Sequence, residues 1–334
     1  MKKYFKYLIV TTMFVASMVS CMKDNYLIVA FYSHEGEEVW EMLVKKDEKM
    51  FEPEIPMRVN YSFEGWYTDN YTFANKWNFD ENIFTTNITL YAKWKFRENV
   101  VEFTESTTWI VPEGVTLVDV FCVGGGGSGA GDFIWANHSG SGGNGGVVTF
   151  TQNVSVTPGK TIKITVGAGG VGGKRFNGAP GGESSFGTMV VSAGGYGGND
   201  SQPEKQVNHG DKIDIEGQPD KEENSGRGGR RGSVDENSDD LQGGDGIECP
   251  IHSTNGKYGA GGAGANTAYK RTSLLQNGGD TGGGNSGYGE DNTPQNRGSN
   301  ATFYGGGGGG GAFSSNHTYS LGGNGHSGII IINY

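Results

Sequence analysis

Cysteine is almost missing from this chain. Cys21, Cys122 and Cys249 are its three, too few for a disulfide framework, and none sits in a CxxC or Cys/His cluster of metal-ligand spacing. Basic charge is also short: 26 Lys and Arg face 37 Asp and Glu, a net charge of -11. A nucleic-acid binder displays a basic face that releases counterions from phosphates, so no nucleic-acid partner is expected. Apolar residues make up 34% of the chain, well below the usual share even though that share counts glycine. A conventional large core is therefore not expected. The six histidines occur in turn-like stretches with no paired acid at a telling spacing. The chain accordingly reads as a non-enzyme with no cofactor and no metal.

Glycine is what it has instead. All but three of the 61 glycines (Gly36, Gly65 and Gly114) fall in residues 124–328, between the apolar run VTLVDVFCV at 115–123 and a closing IIIINY at 329–334. Within the block, residues 199–248 carry 14 Asp and Glu against 6 Lys and Arg, the pattern of a solvated acidic insertion. At 334 residues the chain has room for two or three domains.

The amino terminus, MKKYFKYLIVTTMFVASMVSC, has the three parts of an export signal. Lys2, Lys3 and Lys6 are the positive region, an apolar stretch follows, and small residues precede Cys21. Met18-Val19-Ser20-Cys21 resembles the lipobox of bacterial lipoproteins, which implies cleavage after residue 20 and lipidation of Cys21. Two or more acyl chains anchor stably where one is reversible. The expected partner at this end is a membrane, held through the lipid, with residues 21–26 as tether. The expected location is the bacterial outer membrane or cell surface.

Residues 27–95 alternate apolar and polar positions in several runs, with Pro53 and Pro56 interrupting. The second part is dense in aromatics, an efficient way to complete the core of a unit this small. Its segments Gly65-Trp66-Tyr67-Thr68-Asp69 and Leu90-Tyr91-Ala92-Lys93-Trp94 resemble the hallmarks of the Listeria–Bacteroides repeat, also called the internalin B-repeat. That resemblance implies a small β-grasp-like domain of bacterial surface proteins. Trp66 and Tyr67 are expected in the core or in turn packing, ahead of a role as a sugar platform.

Residues 100–334 form the second unit, with strands expected at VVEF, TWIV, VTLVDVFCV, GVVTFTQNVSV, KTIKITV, TMVVS and GIIIINY. VTLVDVFCV is apolar on both faces, with Asp119 its one charge, and such a strand is expected to be covered from both sides. The closing IIIINY is expected in the same sheet. The sequence of Trp109–Val115, then Gly124 to Gly127, Pro158-Gly159, Val166 to Gly170 and Gly322 to Gly325 resembles a glycine-rich domain of phage tail-fibre ends and bacterial surface proteins. That resemblance implies a β-sandwich with inserted polyglycine II helices, used for attachment. The whole chain is thus expected to be all-β: a β-grasp-like repeat followed by a β-sandwich with glycine-rich insertions.

Glycine costs more backbone entropy to order than any other residue. A polyglycine II helix has three residues per turn and no internal hydrogen bonds. Bare of side chains, such helices can pack closely enough to bond to one another. Side chains within the block are then expected at its outside, with the aromatics, Tyr258 among them, capping the lattice edges ahead of standing on display. Phe133, Trp135, Arg230 and Tyr269 are the candidate ligand-binding residues, since a wet adhesive surface uses aromatics and Arg for stacking and bidentate contacts. The expected function is adhesion to, or binding of, an extracellular glycan or protein ligand. A structural component assembling into a surface layer or fibre is the alternative.

Three other chemistries find little support in the residues. Gly167, Gly169 and Gly172 satisfy GxGxxG after a strand, yet GKRFNGAPGG cannot open the helix that a dinucleotide site needs. Asp239, Asp240 and Asp245 match no calcium loop. Cys122 reads as a buried thiol, with pairing to Cys249 left open.

Overall fold

The computed structural model describes residues 25–34, 40–131, 139–172, 177–198, 243–252, 257–263, 265, 278, 282–287, 297–312 and 320–334. Cys21 and the leader lie outside the described residues. Among those described there is no α-helix, and the fold is all-β. The chain forms two compact units, Met1–Arg97 and Glu98–Tyr334.

In the first unit β1 (Tyr26–Tyr32), β2 (Trp40–Lys45), β3 (Tyr61–Tyr67) and β4 (Ile88–Phe96) make one sheet in the order β2-β1-β4-β3. The central pair, β1 and β4, is parallel, and the outer pairs are antiparallel. Val29 and Phe31 alternate inward from β1 and meet Trp66, Phe79, Phe84 and Leu90, all buried. The rings of Phe31 and Trp66 meet edge to face with centroids 4.9 Å apart, a geometry that adds to area burial. Trp66 and Tyr67 are thus buried packing residues. Gly65 sits in a bulge of β3 with φ of 128°, and the stem of Lys76 lies where a Cβ would project.

The second unit is a sandwich. One sheet holds β5 (Val100–Phe103), β7 (Leu117–Val123), β8 (Val148–Ser155) and β12 (Ile329–Asn333), in the order β5-β12-β7-β8. The other holds β6 (Thr107–Ile110), β9 (Thr161–Thr165), β10 (Ser184–Phe186) and β11 (Val190–Ser192), in the order β11-β10-β9-β6. Trp109, Ile164, Phe186 and Val190 of the second sheet pack on Val118, Val120, Cys122, Ile330 and Ile332 of the first. The closing apolar run does lie beside VTLVDVFCV, as Ile329–Asn333 against Asp119–Val123.

Both faces of β7 are covered. Its outer residues Phe121 and Val123 are fully buried, and Phe121 meets Tyr258, which in turn meets Phe303. Tyr258 is therefore not displayed: it is 1% exposed and closes the outer side of the sheet. A ring among glycines fills space beside a strand better than it stands in water. Asp119 serves the bulge between Val118 and Val120, where its Oδ1 accepts the Asn153 N–H at 2.9 Å. That bond holds Asn153 at φ 53°, a conformation asparagine tolerates.

Candidate functional site

Strands of the sandwich run straight on into glycine. Segment 124–131 continues β7, and its hydrogen bonds rotate through three neighbours every three residues. Gly124, Gly127 and Ala130 donate to Val147, Asn144 and Ser141, Gly125 and Ser128 to Gly182 and Ala179, and Gly126 and Gly129 to His326 and Gly323. Its carbonyls accept from three further segments, through Gly308 and Gly311, Gly195 and Gly198, and Gly170. A three-residue repeat with six neighbours and outward-pointing bonds is the polyglycine II arrangement.

The heptaglycine 305–311 is a second such centre. Every one of its N–H and C=O groups is bonded, for example Gly308 N–H to Gly127 O and Gly143 N–H to Gly308 O. Past Gly305, whose φ is +73°, glycine is needed here for room rather than for its conformational range. A Cβ on Gly308 would stand 2.0 Å from Gly323 O, and one on Gly126 would stand 1.9 Å from Gly306 O. The side chains that the interior does hold are small: Ser128, Ala130, Ala260 and Ala263 are fully buried. Ser128 is put to use, its Oγ donating to Val171 O at 2.9 Å and accepting from Ala179 N–H at 2.8 Å.

The hydrogen-bond levels also order the lattice from end to end. Gly124, Val147, Ala193 and Gly328 adjoin the sandwich strands. At the other end the rungs are Ala130 with Ser141, Gly311 with Ala130, Ala265 with Gly140, Gly287 with Gly310, Gly298 with Leu321, and Gly198 with Ser128. Gly131, Gly172, Gly198, Ala265, Gly287 and Ala312 are the last described residues before a break in the description, and all lie at this far end. Phe133, Trp135, Arg230 and Tyr269 lie outside the described residues. In sequence they belong to three of these six intervals, after Gly131, Gly198 and Ala265. Most of the acidic insertion, 199–242, is outside the description as well.

The outer helices carry their side chains by the same arithmetic. Ala168 and Val171, Asn177 and Pro180, and Ala193 and Tyr196 are spaced by three and exposed. This Gly-Gly-X spacing, legible in the sequence as GAGGVGG and AGGYGGN, is the signal that separates outward from inward positions. Composition alone does not carry it.

A family model described as a glycine-rich domain matches residues 102–334. The chain belongs to the glycine-rich domain family. A second model, the Listeria-Bacteroides repeat domain, matches residues 28–93. A search of curated proteins returns no match to the chain. A glycine-rich domain behind such a repeat is consistent with a surface-associated protein.

Within the glycine-rich domain both thiols are free. Burial pushes Cys122 up to about 11 and Cys249 up to about 12, the opposite of what a reactive cysteine needs. Among the described residues no group of three His, Cys, Asp or Glu could hold a metal ion. In the repeat, Asp69 organises a loop of its own. Its carboxylate accepts the N–H groups of Thr72, Phe73 and Tyr71 at 2.7, 3.0 and 3.2 Å. Those bonds, led by that of Thr72, draw it down to about 2, and the loop presents Tyr71, 90% exposed.

Proposed function

We propose that this protein is a lipid-anchored bacterial surface protein that binds an extracellular partner, a glycan or a protein, with the far end of its glycine lattice. One observation carries the reading. Six segments of the chain, ending at Gly131, Gly172, Gly198, Ala265, Gly287 and Ala312, reach the same end of the lattice, and Phe133, Trp135, Arg230 and Tyr269 follow three of them in sequence. A scaffold in which backbone bonds replace a core holds its end in place at small cost in apolar residues, and binding elements set on rigid supports lose less entropy on contact. The anchor would be the lipid on Cys21, in the outer membrane or at the cell surface. The binding involves no catalysis and no cofactor.

The test is a glycan and matrix-protein array probed with the full chain and with a variant carrying Phe133→Ser, Trp135→Ser, Arg230→Ser and Tyr269→Ser. The reading expects discrete signals that fall at least about tenfold in the variant, as for loss of interface anchors. Signals unchanged in the variant would sink it. Lipidation is checked separately by the mass of the amino-terminal peptide, where an unmodified Cys21 would remove the anchor from the account.

A second reading, assembly into a surface layer, is favoured by the bare outer face of the β6, β9, β10 and β11 sheet. Ile110, Val171, Val191 and Tyr196 are between 45% and 72% exposed there and on the helices that continue it. Sedimentation velocity separates the two: polymers that grow with concentration and no array signal would favour assembly.

A further inference from the structure

At the end of the β3 and β4 ladder away from the Asp69 loop, the aromatic core of the repeat runs out to the surface. Trp66 is buried, Phe63 and Trp94 are half-buried beside it, and the last pair, Tyr61 opposite Phe96, leaves the Phe96 ring 52% exposed. Phe63 meets Trp66 and Trp94 edge to face with centroids 5.4 and 5.5 Å apart, and Tyr61 meets Phe96 in the same way at 5.3 Å. Each ring is thus fixed by its neighbour.

Arg58 lies over the outer part of this column. The chain from Arg58 to Tyr61 is a turn, closed by the Tyr61 N–H donating to Arg58 O at 3.1 Å, with Asn60 at φ 65°, a left-handed conformation that asparagine tolerates. The turn carries the Arg58 guanidinium back to 3.9 Å from the Tyr61 ring centroid and 6.0 Å from that of Trp94. A guanidinium held on an aromatic face keeps its charge and its planar fork of donors, and it has less freedom left to lose on binding.

Those donors are unused. Among the described residues no carboxylate lies within ion-pair distance of Arg58, and no acceptor takes its side-chain N–H groups. Lys93 shows the contrast: it lies over Tyr67 at 5.4 Å and is matched by Glu64 at 3.0 Å. Other charges are near in sequence. Glu52, Glu54 and Glu98 pair with none of the basic residues here. Lys95 alternates to the opposite face of β4, and Arg97 is buried with its Nε donating to Ser62 Oγ at 2.8 Å. Arg58 is therefore the cation set beside the exposed ring.

We infer that this end of the repeat binds an acidic glycan, with the carboxylate of a sugar acid on the Arg58 guanidinium and the C–H face of that sugar or the next on the Phe96 ring. The planar fork matches a carboxylate with two parallel bonds. The negative face of a fixed ring attracts the weakly positive C–H groups of a pyranose. Both anchors rest on the Tyr61 ring, so they lie within a disaccharide's length of each other. A small carboxylate without a sugar would use the fork and leave the ring in water. The site lies on the repeat, apart from the far end of the glycine lattice, and the two stand or fall separately.

The test is calorimetric titration of the full chain with a hyaluronan tetrasaccharide and with 3′-sialyllactose. The comparisons are the methyl esters of both, lactose, and an N-acetylated dipeptide with a free carboxylate. The protein variants are Arg58→Gln, Arg58→Lys and Phe96→Ser, with melting curves to confirm the fold, while the esters probe the same contact with no change to the protein. Expected is saturable binding of at least one acidic glycan that weakens about tenfold or more on esterification and in Arg58→Gln, and about threefold or more in Phe96→Ser. Arg58→Lys should bind nearer to Arg58→Gln than to the native chain, since an ammonium offers no fork. No saturable binding of either acidic glycan below about 1 mM would overturn the inference. So would esters, lactose or the dipeptide binding as tightly as the acidic glycans, or Arg58→Gln binding as the native chain does. Binding lost only when Phe133, Trp135, Arg230 and Tyr269 are replaced would move the glycan to the lattice and overturn the Arg58 site.

Discussion

At the scale of the residue, two separate constraints act on the glycines of this protein, with different predicted costs. Gly308 has an ordinary backbone but no room, its Cβ position being 2.0 Å from Gly323 O. Gly114 has room but a φ of +79°, with nothing within 4 Å. Gly308→Ala should cost about 3 kcal/mol or more, at or beyond the upper end for an overpacked interior, because the obstacle is backbone that cannot rotate away. Gly114→Ala should cost about 1–2 kcal/mol, the price of a left-handed alanine. Urea unfolding of the two variants checks this, and equal losses would contradict the close-packed lattice. Ser128→Ala asks the converse question. It needs no added room but strands the Ala179 N–H, and is expected to lose about 1–3 kcal/mol.

Two titrations belong to the same scale. Asp69 is drawn down to about 2 by backbone N–H groups, so the stability it contributes is present above its unfolded value near 3.8 and is lost as pH falls from there toward 2. Tyr71 fluorescence quenching should report the loop loosening over that interval in the native protein and already at neutral pH in Asp69→Ala. Cys122 works the other way. Raised from 9.0 to about 11 by burial, it favours the folded state until pH passes 9, above which the unfolded chain ionises first and stability declines. Thermal melts between pH 8 and pH 11 should fall more steeply for the native chain than for Cys122→Ala, and parallel curves would contradict the burial of this thiol.

At the scale of the element, the strands with alternating apolar residues were legible, and so was the pairing of the closing IIIINY with VTLVDVFCV. Two-sided apolarity in one strand has one physical solution, cover on both faces. The strand Ser184–Phe186 was not legible, because three residues between Gly182 and Gly187 show no period. Tyr258 caps rather than stands on display, but the strand it covers was not legible, because its partners Phe121 and Phe303 are far away in sequence. The four candidate binding residues could be chosen by residue type alone. The interruptions of the lattice gave their positions, and their placement is not described. The spacing of side chains by three along the outer helices supplies an element-scale prediction. Val171→Lys, at a position 72% exposed, should change stability by no more than about 0.5 kcal/mol, while Gly170→Ala, one position inward and 2.1 Å from Ala179 O, should cost several times as much.

At the scale of the whole molecule, a chain with 34% apolar residues and 61 glycines would be placed by composition among flexible linkers. The structure assigns it the opposite character, since six glycine-rich segments surround 124–131 and bond to it along its length. The acidic surplus then concerns solubility and encounter rather than fold. Native-state hydrogen exchange across the full chain, resolved by mass spectrometry of overlapping peptides, tests this central claim most directly. The account predicts that residues 124–131 and 305–311 exchange as slowly as β7 and β12, since every heptaglycine N–H is bonded. Exchange of those glycines at the rate of an unstructured peptide, with β7 and β12 still protected, would contradict it.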